Sequence, residues 1–279
     1  LLVPNPHFLA WSDNCPTVLI KHDLSPVIQP DLLTPKLRLW HKIVGTERLA
    51  RRATHIIAIS ENTARDLIDL WGIPAEKITV IYPGVTPIPP TTARRPITRP
   101  YILTLATKEP RKNQAAILQA FAEVAAHFPE LHLVIAGGRG WGGRAQARLI
   151  ASHPFKERIV QKPYVTEAER AALYRHAAMF VFPSWYEGFG FPPLEAMSAG
   201  VPVITSMTSA TSEVCGDAAL LVDPQRSVDL AAAMTALLTD DTIRQRLVDQ
   251  GQQHWQKFLW ERAATQTKAV LQQVARPSR

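Results

Sequence analysis

Cysteine is almost absent from this chain. Cys15 and Cys215 are the only two in 279 residues, far apart and with no C-x-x-C or His-rich neighbourhood. That pattern excludes a disulfide framework and a zinc site of the usual spacing, and makes a reducing, cytoplasmic setting the default expectation. No window holds 18 uncharged apolar residues, so no transmembrane helix is expected. The chain opens on Leu1 rather than Met, and 1–10 lacks a basic start followed by an apolar run, so it does not read as a signal peptide. No Asp-x-Asp pair occurs, which removes the usual ligands of a metal clamp on a diphosphate; no metal site is expected. Acidic residues are in deficit, 24 against 31 Lys and Arg, for a net charge of +7. The basic residues form no recognisable base-reading motif, so nucleic acid is not an expected partner.

At 46% hydrophobic and 20% charged, the chain has the composition of an ordinary globular protein, long enough for two domains. Part of the basic excess lies in Lys36–Lys42 and Arg48–Arg52, interleaved with apolar residues at helical spacing. Two readings fit. One is a face for anionic lipid, giving peripheral contact at the inner side of a membrane. The other is a solvated amphipathic helix that packs Leu37, Leu39, Trp40, Val44 and Leu49 inward.

Short β-rich runs alternate with longer amphipathic stretches, the pattern of an α/β fold with parallel sheets. Strands are expected at 17–20, 55–59 and 78–81, and then at 101–106, 132–136, 179–182, 201–205 and 219–222. Helices are expected at 114–128 with Asn113 as N-cap, 167–178, 228–238, 241–258 and 259–274. Ser60 and Glu61 read as an N-cap box. The proline- and arginine-rich stretch 87–99 reads as a stiff, exposed linker. The domains are thus expected at 1–86 and 100–258, with a last helix over 259–279. Three strands before the linker are few for a Rossmann-like domain of ordinary size. With the missing Met, they lead to the expectation that the first domain is N-terminally incomplete.

The densest signal is Phe182–Ile204. Glu187 and Glu195 flank Gly188 and Gly190, and Pro192 and Pro193 suit the opening of a helix that Gly200 ends. A helix start reached through a glycine loop offers N–H groups and a positive dipole end to phosphate. Glu195, expected in the first helical turn, could equally be a dipole partner only. A second basic cluster, Lys108-Glu-Pro-Arg111-Lys112-Asn113, follows a strand. Gly138, Gly140 and Gly143 match G-x-G-x-x-G, but on the second strand of their domain and without a well-placed ribose-binding acid, so nicotinamide binding is set aside.

The phrase PSWYEGFGFPPLEAMSAGVPVITS, with IKHDLSP, IIAISENTARDL, ITVIYPGV, KEPRKN, LHLVIAGGRGW and SEVCGDAALLVDP in order, resembles the retaining glycosyltransferases of family 4, which have the GT-B fold. The resemblance spans essentially the whole chain. It implies two Rossmann-like domains, the second binding a nucleoside-diphosphate sugar as donor, with no cofactor and no metal, and a glycan or lipid-linked acceptor. It assigns Lys112 and Arg111 to the diphosphate and Glu195 to the ribose. Glu187, with His22 and the backbone of Gly188, Phe189 and Gly190, is assigned to the donor sugar, and Tyr164 and Val165 to the nucleobase. Ala106 and Thr107 depart from the family, which has Gly and often Arg there; Thr107 is kept as a substrate-binding candidate. The implied function is retaining transfer of a hexose, with mannose the first guess, in glycan or polysaccharide biosynthesis. A nucleotide-sugar epimerase of the same fold and a non-catalytic nucleotide-sugar-binding module are the alternatives.

Overall fold

Four short parallel strands open the chain: β1 (Leu2–Val3), β2 (Val18–Lys21), β3 (His55–Ala58) and β4 (Ile78–Val80), in the order β1-β2-β3-β4. The computed structural model describes residues 1–5, 15–92 and 94–275. β-Branched Val and Ile dominate these strands, and their alternate faces are closed by helices. Between β2 and β3 come α1 (Ser25–Ile28), α2 (Pro35–Val44) and α3 (Thr46–Arg52), and α4 (Glu61–Trp71) follows β3. Leu19, Leu24, Ala50, Ile56, Leu67 and Trp71 make one core of this sheet.

Local chemistry sets the helix ends. The Thr34 hydroxyl accepts from the Leu37 N–H at the start of α2, and Gly45 ends it at φ 60°. Ser60 caps α4 through the Thr63 N–H at 3.0 Å, and its hydroxyl donates to Thr63 Oγ1. The expected box has no acid at its third position, so this is a hydroxyl pair instead of a Ser-Glu exchange. On α2, Leu37, Trp40 and Val44 are half-buried, whereas Leu39 is 59% exposed and Ile43 68%. Leu39 therefore does not pack inward as its spacing suggested.

The second sheet has six parallel strands: β5 (Tyr101–Leu105), β6 (His132–Ala136), β7 (Ile159–Lys162), β8 (Met179–Phe182), β9 (Val203–Ser206) and β10 (Leu220–Val222). Their spatial order is β10-β9-β8-β5-β6-β7. The chain runs outward from β5 through β6 and β7, then returns to β5's other side to lay down β8, β9 and β10. That is the doubly wound order, with its reversal between β5 and β8. The crossovers are α5 (Gln114–His127), α6 (Gly143–Ala151), α7 (Glu167–Arg175), α8 (Phe191–Ser198) and α9 (Ser209–Cys215), with α10 (Ser227–Thr239) and α11 (Asp241–His254) closing the sheet. α12 (Trp260–Ala275) follows.

Two compact units result. One holds 1–84, 187–189 and 258–279; the other holds 85–186 and 190–257. In the first, α12 sets Ala263 and Val270 against Val18, Ile57 and Ile81, and Phe258 meets Tyr82 and Phe189 edge to face at 5.6 and 5.5 Å. In the second, Phe121, Leu133, Met179, Val181, Ile204 and Met234 belong to the large core. The segment expected as an exposed linker begins differently: Ile88 is buried, and its N–H donates to Ser198 Oγ at 2.9 Å. The Arg175 guanidinium grips the carbonyls of Ile88 and Pro89, at 2.6 and 2.7 Å.

Phe121→Ala is expected to cost about 3–5 kcal/mol, and Leu39→Ser to stay within about 0.5 kcal/mol of the parent. Urea denaturation followed by circular dichroism measures both. A large loss from Leu39→Ser would contradict the exposure of that face.

Candidate functional site

In an open α/β sheet, ligands meet the loops at the carboxyl ends of the strands where the order reverses. Here those loops leave β5 and β8, and they are the two basic and glycine-rich segments that the sequence singles out. Both lie in the second unit up to Tyr186 and again from Gly190.

The loop after β5 turns through a short 3₁₀ turn, Pro110–Lys112, and Asn113 follows it at φ 52°. Asn113 stands at the N-cap position of α5, but its side chain does not cap the helix. Its Nδ2 donates instead to the carbonyls of Pro183 at 3.2 Å and Pro224 at 2.7 Å, tying the β5 loop to those after β8 and β10. Arg111 adds two ties. Its Nη1 donates to the Tyr186 carbonyl at 2.7 Å, and its own carbonyl accepts from the Trp185 N–H at 2.9 Å. Its Nη2 lies 3.4 Å from Glu109 Oε2, and Glu109 Oε1 accepts from the Thr107 hydroxyl at 2.8 Å. The Lys112 ammonium lies 5.1 Å from the centre of the Phe182 ring, an attraction of the cation–π kind.

Among the glycines after β6, Gly140 of the G-x-G-x-x-G match and its neighbours Gly137 and Gly142 are required by packing. A Cβ on Gly137, at φ 135°, would stand 2.0 Å from the Ala106 carbonyl oxygen, and one on Gly140 would stand 2.5 Å from that of Lys108. The Gly142 N–H donates to the Lys108 carbonyl at 2.7 Å. The glycine run therefore backs the β5 loop at backbone contact, a packing duty that only a residue without a side chain fulfils.

After β8, Gly190 at φ 106° leads into α8. Pro192 and Pro193 are the second and third residues of that helix and carry no N–H, so α8 presents fewer free donors than a glycine-led helix start suggests. Glu195 is the fifth residue, beyond the first turn, which removes its role as a simple dipole partner. It is held from α7. Arg170 Nη1 donates to Oε1 and the Tyr174 hydroxyl donates to Oε2, both at 2.8 Å. Burial first, and the Glu195 carboxylate second, push the Tyr174 phenol well above its ordinary value, so it stays a donor. Sequence reasoning missed Arg170 and Tyr174. Their i, i+4 spacing on a helix preceding the glutamate loop was the available signal.

α7 itself begins with a full capping box: Thr166 Oγ1 accepts from the Glu169 N–H, and Glu169 Oε2 accepts from the Thr166 N–H. Just before it, Tyr164 is 80% exposed and Val165 half-buried. The remaining candidates, His22 and 187–189, belong to the first unit. His22 follows β2 and donates from Nε2 to the Pro4 carbonyl at 2.9 Å; its own carbonyl accepts from the Thr63 hydroxyl at 3.3 Å. A Cβ on Gly188 would meet that same carbonyl oxygen at 1.9 Å, so the position tolerates glycine alone. Glu187 is 7% exposed. Among the described residues, no group of three or more His, Cys, Asp or Glu could hold a metal ion, and no helix is long and apolar enough to cross a membrane.

Solved structures share this architecture. A sucrose-phosphate synthase from Thermosynechococcus elongatus matches with a TM-score of 0.78 at 23% identity, over 93% of this chain and 68% of that one. The Anabaena protein HepE, solved in complex with UDP and glucose, matches with a TM-score of 0.79 at 20% identity, over 93% and 72%. The fold is GT-B, with two Rossmann-like domains. The family model for glycosyl transferases group 1 matches 92–254, and that for glycosyltransferase family 4 matches 3–87. The chain belongs to the group 1 glycosyltransferases, a family of transfer enzymes.

Two curated relatives come from Escherichia coli. The O-antigen chain mannosyltransferase B is 33% identical over 260 residues, 88% of this chain and 67% of that protein. The serotype-specific mannosyltransferase WbdA is 29% identical over 266 residues, 89% of this chain but 32% of its own length. This chain thus spans two thirds of one relative and about a third of the other.

Gly137→Ala is expected to destabilise the protein by at least about 2 kcal/mol, since it adds both a strained φ and a backbone collision. Chemical denaturation reads the loss, and parental stability in Gly137→Ala would refute the close approach of the two loops.

Proposed function

We propose that this protein is a retaining glycosyltransferase that moves a hexose from a nucleoside-diphosphate sugar to a hydroxyl acceptor in glycan or polysaccharide biosynthesis. The observation that carries this reading is the convergence of the β5 and β8 loops at the strand-order reversal of the second unit, cross-tied by Arg111 and Asn113. Loss of a sugar from a nucleoside diphosphate builds negative charge on the leaving phosphate while the sugar becomes oxocarbenium-like. Fixed cations near that phosphate lower the barrier. Arg111 and Lys112 are assigned to this task. Arg111 is held in place through its backbone and both terminal nitrogens, so little ordering is needed when the phosphate arrives.

Glu195 is assigned to the ribose hydroxyls. Its two oxygens accept from Arg170 and Tyr174, which fix the carboxylate, while each oxygen retains a lone pair for a ribose O–H. His22 and Glu187 keep the sugar-facing role that the resemblance implies. In this reading the acceptor oxygen attacks from the face the phosphate leaves. The departing phosphate oxygen takes the acceptor proton, so the C–O bond to phosphate breaks as the new C–O bond forms and configuration is retained. The leaving group resides in the donor, so no cofactor is required. Mannose is favoured as the sugar because the curated E. coli relatives are named mannosyltransferases.

A screen of nucleoside-diphosphate sugars by calorimetry, followed by transfer assays, tests the proposal. An epimer formed without acceptor would favour the epimerase, and binding without turnover the non-catalytic module; either sinks the transferase reading. Glu187→Gln should lower transfer by about a hundredfold or more with an unchanged melting temperature. Glu195→Gln should raise the donor KM about tenfold with a smaller effect on kcat. Full transfer by Glu187→Gln would remove that residue from the mechanism.

A membrane-surface role for α2 is favoured by exposed Leu39 and Ile43 beside Lys36, Arg38 and Lys42. Co-sedimentation with phosphatidylserine-rich vesicles is expected at low salt and should be lost in the Leu39→Ser, Ile43→Ser double variant. Equal sedimentation of parent and variant would refute it.

A further inference from the structure

The last residue of β2 is a lysine in a place where lysines are seldom found. Lys21 is 8% exposed, and its ammonium lies 5.0 Å from the centre of the Trp71 ring. The ring face offsets part of the lost hydration. An ammonium also carries three N–H donors, and among the described residues no oxygen accepts from this one. Asp23, whose field reaches Lys21, is turned to Ser25 and accepts from its N–H at 2.9 Å and its hydroxyl at 2.7 Å. Burial outweighs that field and draws the Lys21 pKa down from its ordinary value. Asp23 thus offsets the burial of this cation only in part, and a further counter-charge would stabilise it.

Lys21 lines a cavity of about 170 Å³, together with Asp23, Trp40, His41, Thr46 and Trp71. Through His41, Thr46 and Trp71 the cavity adjoins a wider depression of about 380 Å³ flanked by Arg38 and Lys42. The acid of that depression, Glu47, is taken by Arg51, which donates to it twice at 2.8 and 3.0 Å. Along the path Lys21, Arg38 and Lys42 stand against Asp23 and Glu47, so cations are in excess. Water could complete the hydrogen bonds of Lys21 but not its charge. A neutral ligand would share that failing, and a cation would be repelled.

We infer that this cavity of the first unit is an oxyanion site, in which Lys21 receives a phosphate or carboxylate group and the rest of the ligand lies toward Arg38 and Lys42. Trp40 and Trp71 give the bound group apolar walls, and Thr46 adds a hydroxyl-bearing residue to the lining. The site is built from this unit alone and does not depend on the transferase reading.

Inorganic phosphate and acetate, titrated calorimetrically at low ionic strength into the whole chain, test the inference. The expected result is saturable binding of at least one of them that Lys21→Met weakens tenfold or more and Lys112→Met leaves in place. Phosphate alone binding would identify a phosphoryl group, and acetate alone a carboxylate. No saturable binding of either anion, or binding unchanged in Lys21→Met, overturns the site. Should Lys21→Met not fold, reductive methylation of the parent decides. The bound anion is expected to protect Lys21 and to leave exposed Lys36 unprotected. Equal labelling of Lys21 with and without anion, or none in either condition, overturns it.

Discussion

The convergence of two loops on β5 and β8 depends on one constraint, that every strand of the second sheet runs the same way. Parallel strands put all their outgoing loops at one edge, and the doubly wound order leaves a gap there only between β5 and β8, where no crossover helix of either half covers both. Everything placed at that gap must then be held by backbone, because loops have no ladder of their own. Asn113 and Arg111 supply the cross-ties, and Gly137, Gly140 and Gly142 bring a third loop up behind them at contact distances that exclude a Cβ. The result is a basic corner held by backbone contacts from three loops.

Charge in this protein is managed by pairing across helices. Glu195 is fixed by two donors one turn apart on α7, and that helix is in turn anchored by Arg175 on the Ile88 and Pro89 carbonyls. Arg111 shares its guanidinium between a carbonyl and Glu109. Lys21 is the contrast, a buried cation facing a ring and a cavity.

Strands were legible in the sequence wherever both faces are buried, as in Met179–Phe182 and His132–Ala136, because parallel central strands read as unbroken apolar runs. β7 was not, since Ile159–Lys162 is an edge strand with no fully buried residue and half its sequence is polar. α6 was hidden by the glycines before it, which signal a loop although their purpose is contact with the β5 loop. Asn113 looked like a helix cap for the same local reason. Its side chain was claimed by two carbonyls some seventy and a hundred residues away, which no local rule can foresee.

The sequence by itself determined the α/β class, the alternation of elements, and the two glutamates and basic cluster that mark the family, because periodicity and short motifs are properties of neighbours along the chain. Tertiary structure alone decided that Glu195 sits past the first turn in the grip of Arg170 and Tyr174, that Leu39 faces outward, and that Lys21 lies buried beside a cavity. Burial and long-range partners set these outcomes, and both depend on which segments pack together, a quantity that local sequence does not carry.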